Sequence, residues 1–169
     1  MNNSVNTESV IALDVKTASG PVVINNNVFS GIGETNGTGT AIRLRSVSGK
    51  TDITNNTIED VTKNAINTYS HIDGIDMTIT GNTIKNWDSD KDQDTGKEDG
   101  LQGGRAIRID FGSKTGTETI KDNTYTPPLY ESGETPIDPE YIKITGSTAL
   151  TTKDFVWPTE FPEGKVVVN

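Results

Sequence analysis

Five aspartates crowd one stretch of the chain, Asp88, Asp90, Asp92, Asp94 and Asp99, at positions 1, 3, 5, 7 and 12 counted from the first. Hard oxygen ligands at alternate positions suit Ca²⁺, and the twelfth position can close the coordination shell. Two residues depart from a twelve-residue calcium loop. Gln93 stands where glycine makes the turn, and Asp99 is shorter than the usual closing glutamate. A solvated acidic loop accounts for the same residues.

A second group is basic: Arg43, Arg45, Arg108 and Lys143, with Tyr69 among them. Forked guanidinium donors match a carboxylate and an aromatic ring matches a sugar face, so this set is expected to hold an acidic saccharide. The plainer reading is a ladder of outward salt bridges, such as Asp14 with Arg43, each contributing about 0 to 1 kcal/mol. Asp73 and Asp110 are the carboxylates expected nearest Tyr69. Glycoside hydrolysis would need two such groups facing each other about 5 to 10 Å apart, and solvated loop acids are the alternative. The single histidine, His71, follows in the segment His-Ile-Asp-Gly.

Something regular must position these groups, and the chain repeats. Val23-Ile24-Asn25-Asn26-Asn27-Val28, Ile53-Thr54-Asn55-Asn56-Thr57-Ile58, Ile79-Thr80-Gly81-Asn82-Thr83-Ile84 and Ile120-Lys121-Asp122-Asn123-Thr124-Tyr125 read as copies of one hexad with asparagine fourth. A weaker copy is expected at Phe155-Val156-Trp157. Upstream of each lies a second motif, beginning Ala12-Leu13, Ala41-Ile42, Ala65-Ile66, Ala106-Ile107 and Tyr141-Ile142. Successive second residues of this motif are separated by 29, 24, 41 and 35 positions. Such a variable excess is what strands stacked circuit on circuit produce when only their turns lengthen. The segments are β-branched, short and punctuated by Gly and Asn, which excludes helices. Strict alternation turns Ile42 and Leu44 inward and Arg43 and Arg45 outward, and likewise Ile107 and Ile109 inward with Arg108 and Asp110 outward. The repeated Asn26, Asn56, Asn82 and Asn123 are read as structural, tolerating left-handed backbone and bonding amide to amide between circuits.

The expected fold is therefore all-β, a single-stranded parallel β-helix of about five coils in one domain, residues 1–169. An acidic loop at 87–104 and a Pro-rich loop at 127–139 interrupt it, the latter holding four of the seven prolines. Leu13, Ile42, Ile66, Ile107 and Ile142 should form one inward column.

Composition narrows the function. Twenty-five Thr and 15 Asn suit strands and tight turns. A formal net charge of -9 argues against nucleic acid as the partner. With no cysteine, thiol catalysis, disulfides and zinc-thiolate sites are out. No apolar run is long enough for a membrane span, and Met1 is followed by polar residues rather than a signal peptide.

The Ile-x-x-Asn-Thr-Ile hexads, each preceded by an Ala-Ile-x-Leu type of segment over roughly residues 10 to 145, resemble the right-handed parallel β-helix repeats of the pectate-lyase-like superfamily. That resemblance implies a right-handed coil. It also implies an extracellular or cell-surface bacterial setting and one of three functions. The chain is expected to be a carbohydrate-interacting or structural module without a strong catalytic signature. Alternatively it is a calcium-dependent polysaccharide lyase on an acidic glycan, with Arg108 or Arg43 as base, or it is a spacer of an adhesin or phage fibre. A polygalacturonase-like site is disfavoured, because Gly-His-Gly is missing and the nearest match to Arg-Ile-Lys is Arg108-Ile109-Asp110. The start of the stack exposes a strand edge. The chain is thus expected to be the C-terminal part of a longer protein, that edge being covered by further coils, another domain or a second copy.

Overall fold

A computed structural model describes residues 4–6, 11–33, 39–88, 104–110, 116–127, 142–145, 155–156 and 166–168. Every regular element among them is a strand. The chain visits three sheets in rotation until its last described strand, which joins the second sheet out of turn. The first sheet holds β1 (Ser4–Asn6), β4 (Val28–Ile32), β7 (Thr57–Val61), β10 (Thr83–Trp87) and β13 (Thr124–Thr126). The second holds β2 (Ile11–Lys16), β5 (Thr40–Arg45), β8 (Asn64–Tyr69), β11 (Ile107–Asp110), β14 (Ile142–Thr145) and β16 (Val166–Val168). The third holds β3 (Val22–Asn25), β6 (Lys50–Thr54), β9 (Ile75–Thr80), β12 (Gly116–Lys121) and β15 (Phe155–Val156). All pairings are parallel. Three stacked sheets entered in rotation are consistent with a parallel β-helix.

The inward column of the second sheet has the expected register: Leu13 pairs with Ile42, Ile42 with Ile66, Ile66 with Ile107, and Ile107 with Ile142. Ile42, Ile66, Ile107 and Ile142 are fully buried, whereas Leu13, on the end strand, is partly covered. Ile53, Ile79 and Ile120 close the core from the third sheet, and Phe29, Ile58, Ile84 and Trp87 from the first. Alternation on half-buried strands is what delivers these side chains inward.

The three corners differ in kind. From third to first sheet the turn is always two residues, 26–27, 55–56, 81–82 and 122–123. Its first residue is left-handed: Asn26 (φ 56°), Asn55 (φ 54°), Gly81 (φ 67°) and Asp122 (φ 55°). Its second is an asparagine whose amide binds the next circuit. Asn27 donates from N and Nδ2 to Asn56 Oδ1 at 3.0 and 3.0 Å, Asn56 to Asn82 Oδ1 at 2.9 and 2.9 Å, and Asn82 to Asn123 Oδ1 at 2.9 and 2.9 Å. The remaining amide hydrogens of Asn56, Asn82 and Asn123 go to the carbonyls of Ile24, Ile53 and Ile79. The rung in the first copy is thus Asn27 and not Asn26. Ile24 pairs with Ile53 while Val23, 66% exposed, faces solvent, so the first hexad begins one residue later than its letters imply.

From first to second sheet the connections vary most, covering 33–39, 62–63, 88–106 and 127–141. Gly39 and Gly104 return the chain to the stack there. A Cβ on Gly39 would lie 2.0 Å from the Ile32 carbonyl oxygen, and one on Gly104 would lie 2.0 Å from that of Lys63, so no side chain fits at either. Thr62 fastens the first of these returns, accepting from Gly39 N at 2.7 Å, and Asn64 Oδ1 fastens the next by accepting from Arg105 N at 3.0 Å.

The weak fifth hexad pairs out of its expected phase, since Phe155 lies opposite Glu118 rather than Ile120. The stack also begins before the motif at Ala12, because β1 already pairs with Val28–Ser30.

Candidate functional site

The outer face of the second sheet carries the basic residues in two rows. One runs Asp14, Arg43, Asn67, Arg108, Lys143; the other runs Lys16, Arg45, Tyr69, Asp110, Thr145. Residues within a row sit one strand apart, about 4.8 Å. Five cations and two carboxylates therefore share one face of a chain whose formal charge is -9.

The rows are not uniformly free for a ligand. Asp14 grips two arginines at once. Its Oδ1 accepts from Arg43 Nε at 3.2 Å and from Arg45 Nε at 3.2 Å, and its Oδ2 accepts from Arg43 Nη2 at 2.6 Å and from Arg45 Nη2. The Arg43 hydrogen bond, with Arg45 aiding, holds the Asp14 carboxyl down to about 2 against a smaller opposing effect of burial. The same bond holds the Arg43 guanidinium up. Arg108 and Lys143, at the other end of their row, have no ion-pair partner among the described residues. Arg108, Lys143 and Tyr69 are each part-exposed on this face. The structure thus joins Arg43, Arg45, Tyr69, Arg108 and Lys143 on one surface, with Arg43 and Arg45 both paired to Asp14 at one end and Arg108 and Lys143 outside any ion pair among the described residues at the other.

Asp110 stands beside Tyr69 as its register partner, whereas Asp73 lies exposed in the turn after β8. His71 is buried, its Nε2 3.0 Å from Thr68 Oγ1, and burial pushes it down to about 4 in spite of Asp110. It is a neutral packing residue at the end of that strand.

Of the acidic set, only Asp88 falls within the described residues, in a left-handed turn (φ 55°) with its amide donating to Lys63 O at 3.2 Å. Asp90, Asp92, Asp94 and Asp99 lie outside them, as does most of the Pro-rich loop. Among the described residues no three His, Cys, Asp or Glu converge on a common point, and no helix is long and apolar enough to cross a membrane.

Two features escape a reading by residue type. The first is a hollow of about 340 Å³ on the first sheet, lined by Glu59, Asp60, Lys85, Asn86, Thr126 and Pro127. Glu59 and Lys85 are register neighbours, and Asn86 Nδ2 donates to Asp60 Oδ1 at 2.7 Å. The second is Glu118, whose carboxyl is buried in the third sheet with both oxygens lacking a hydrogen-bond partner among the described residues. Its phase with Ile120, two residues on, is the signal that places it inward.

No protein family, curated protein or solved structure matches the chain.

Proposed function

We propose that the chain is a right-handed parallel β-helix module of about five coils, of the pectate-lyase-like kind, that binds an acidic glycan on the outer face of its second sheet. Its setting is a secreted or surface-displayed bacterial protein. The observation that carries this reading is the pair Arg108 and Lys143, register neighbours without a counter-charge partner among the described residues. Asn67 and Tyr69 continue the face beside them. A uronate carboxylate supplies the charge these groups lack, and the Tyr69 ring offers a surface for the pyranose. Arg43 and Arg45 contribute less, because a ligand would compete with Asp14 for them.

A second reading, an active lyase, rests on the same Arg108. With Arg43 committed to Asp14, Arg108 is the arginine left which, as the neutral guanidine, would take the proton beside a uronate carboxyl while the glycosidic C–O bond breaks, a C=C bond forms and water protonates the departing oxygen. Ca²⁺ would then be held by Asp88, Asp90, Asp92, Asp94 and Asp99.

Calorimetric titration with uronate oligosaccharides from pectate, alginate and glycosaminoglycan, with and without Ca²⁺, tests both. Binding is expected to weaken at least tenfold in Arg108→Ala/Lys143→Ala and less in Arg43→Ala. Equal affinity of the wild type and the Arg108→Ala/Lys143→Ala variant across the panel would remove this face from consideration. Ultraviolet absorbance from unsaturated product separates the lyase reading from simple binding.

A further inference from the structure

Glu118 lies in the inward column of the third sheet, opposite Met77 on β9 and opposite Phe155 on β15. It is 1% exposed, and neither oxygen finds a hydrogen-bond donor among the described residues. Among the described residues nothing charged meets it. On β9 the inward neighbours are Ile75, Met77 and Ile79; Asp76, on the outer side, is bound by the Thr117 hydroxyl at 3.0 Å. On β12 itself the inward neighbour is Ile120, and Lys121 is exposed. β15 is Phe-Val and brings no titratable side chain. Buried His71 and Arg105 and part-buried Tyr125 are placed elsewhere, His71 beside Thr68, Tyr125 edge-on to Trp87, and Arg105 donating to Gly104 O.

We propose that Glu118 is a proton-operated latch for the end strand of the third sheet. Neutral, it stays inside and β15 stays seated; ionised, it must reach water, and β15 lifts to let it out. The direction of escape follows from the pairing. β12 is held to β9 by six register pairs, Gly116 to Lys121, with β6 and β3 stacked behind. On its other side only two pairs, Glu118 with Phe155 and Thr119 with Val156, hold β15, the last strand of that sheet among the described residues. An isolated carboxylate in an apolar interior costs more than two ladder pairs can offset. Burial alone raises the Glu118 carboxyl well above its ordinary range, so the latch is closed in acid and opens as pH rises. Opening uncovers the β12 edge, a template on which another strand can pair.

Hydrogen exchange resolved along the chain tests this at a series of pH values, with protection corrected for the intrinsic exchange rate. Protection of the residue 155–156 amides is expected to fall with rising pH, by up to tenfold per unit for one linked proton, while that of β8 amides stays flat. Glu118→Gln, and separately Glu118→Met, should abolish the pH dependence at 155–156. Retention of that dependence in either variant, equal loss at β8, or flat protection in the wild type would each overturn the latch.

Discussion

In each asparagine corner the replaceable backbone role falls to the first residue, which is left-handed, and the irreplaceable side-chain role to the second. Asn56 and Asn82 satisfy both amide hydrogens and both oxygen lone pairs inside the protein. Removing either leaves buried donors on one neighbour and acceptors on the other. Asn56→Ala and Asn82→Ala are therefore expected to destabilise by about 1–3 kcal/mol each in a urea titration. Asn27→Ala should cost more than Asn26→Gly, which keeps the left-handed turn and is expected to lie within about 0.5 kcal/mol of the wild type. Equal costs at 26 and 27 would contradict the rung assignment. The ladder is legible in the sequence because asparagine recurs at a fixed place beside β-branched residues. Its first rung is not, since Asn25, Asn26 and Asn27 are chemically alike and Val23 and Ile24 are equally fit to point inward. Only the pairing of Ile24 with Ile53 decides between them.

At the scale of the strand, the second sheet separates what holds the fold from what is displayed on it. Ile66→Ala, in the middle of a fully buried column, is expected to cost about 2–5 kcal/mol by opening a cavity. Leu13→Ala, on the partly covered end strand, should cost less, and denaturant midpoints compare the two. Arg43→Ala removes an exposed pair and should change stability by no more than about 1 kcal/mol. A large loss there would mean that the Asp14 cluster is a structural staple rather than a surface feature. Alternation alone predicts both rows of this sheet residue for residue from β2 to β14, because each of those strands carries an Ala-Ile type of motif in constant phase. Prediction fails where phase must be carried across a turn of unknown length. Ile107 to Ile142 is 35 residues, but Glu118 to Phe155 is 37, so the turn after β14 is two residues longer than that after β11. Glu118 was hidden for another reason: a carboxylate is assigned to solvent by type, although its phase with Ile120 points it inward.

For the whole molecule, two buried groups of opposite sign shape the response to pH. The histidine side chain of residue 71 falls from 6.5 to about 4 on folding, so the stability tied to its neutral form is present above 6.5 and lost as pH drops toward 4. Glu118 rises from 4.5, so its contribution is complete below 4.5 and is lost as pH climbs through its raised value. Above 4.5, where the two ranges overlap, the slopes oppose each other. In denaturant midpoints taken across pH, Glu118→Gln is expected to remove the loss that comes with rising pH and His71→Gln the loss that comes as pH falls from 6.5 toward 4. The unequal corners have a further consequence, for chain closure. Register partners are 24 residues apart from Ile42 to Ile66 and 41 apart from Ile66 to Ile107. Closing the longer loop costs only about 0.5 kcal/mol more in chain entropy. One corner of the molecule is therefore open to inserted sequence at almost no thermodynamic penalty, while the asparagine corner opposite cannot gain a single residue without breaking its amide row. Variation among descendants of this chain should accumulate along a single edge, beside the sheet that displays the arginines.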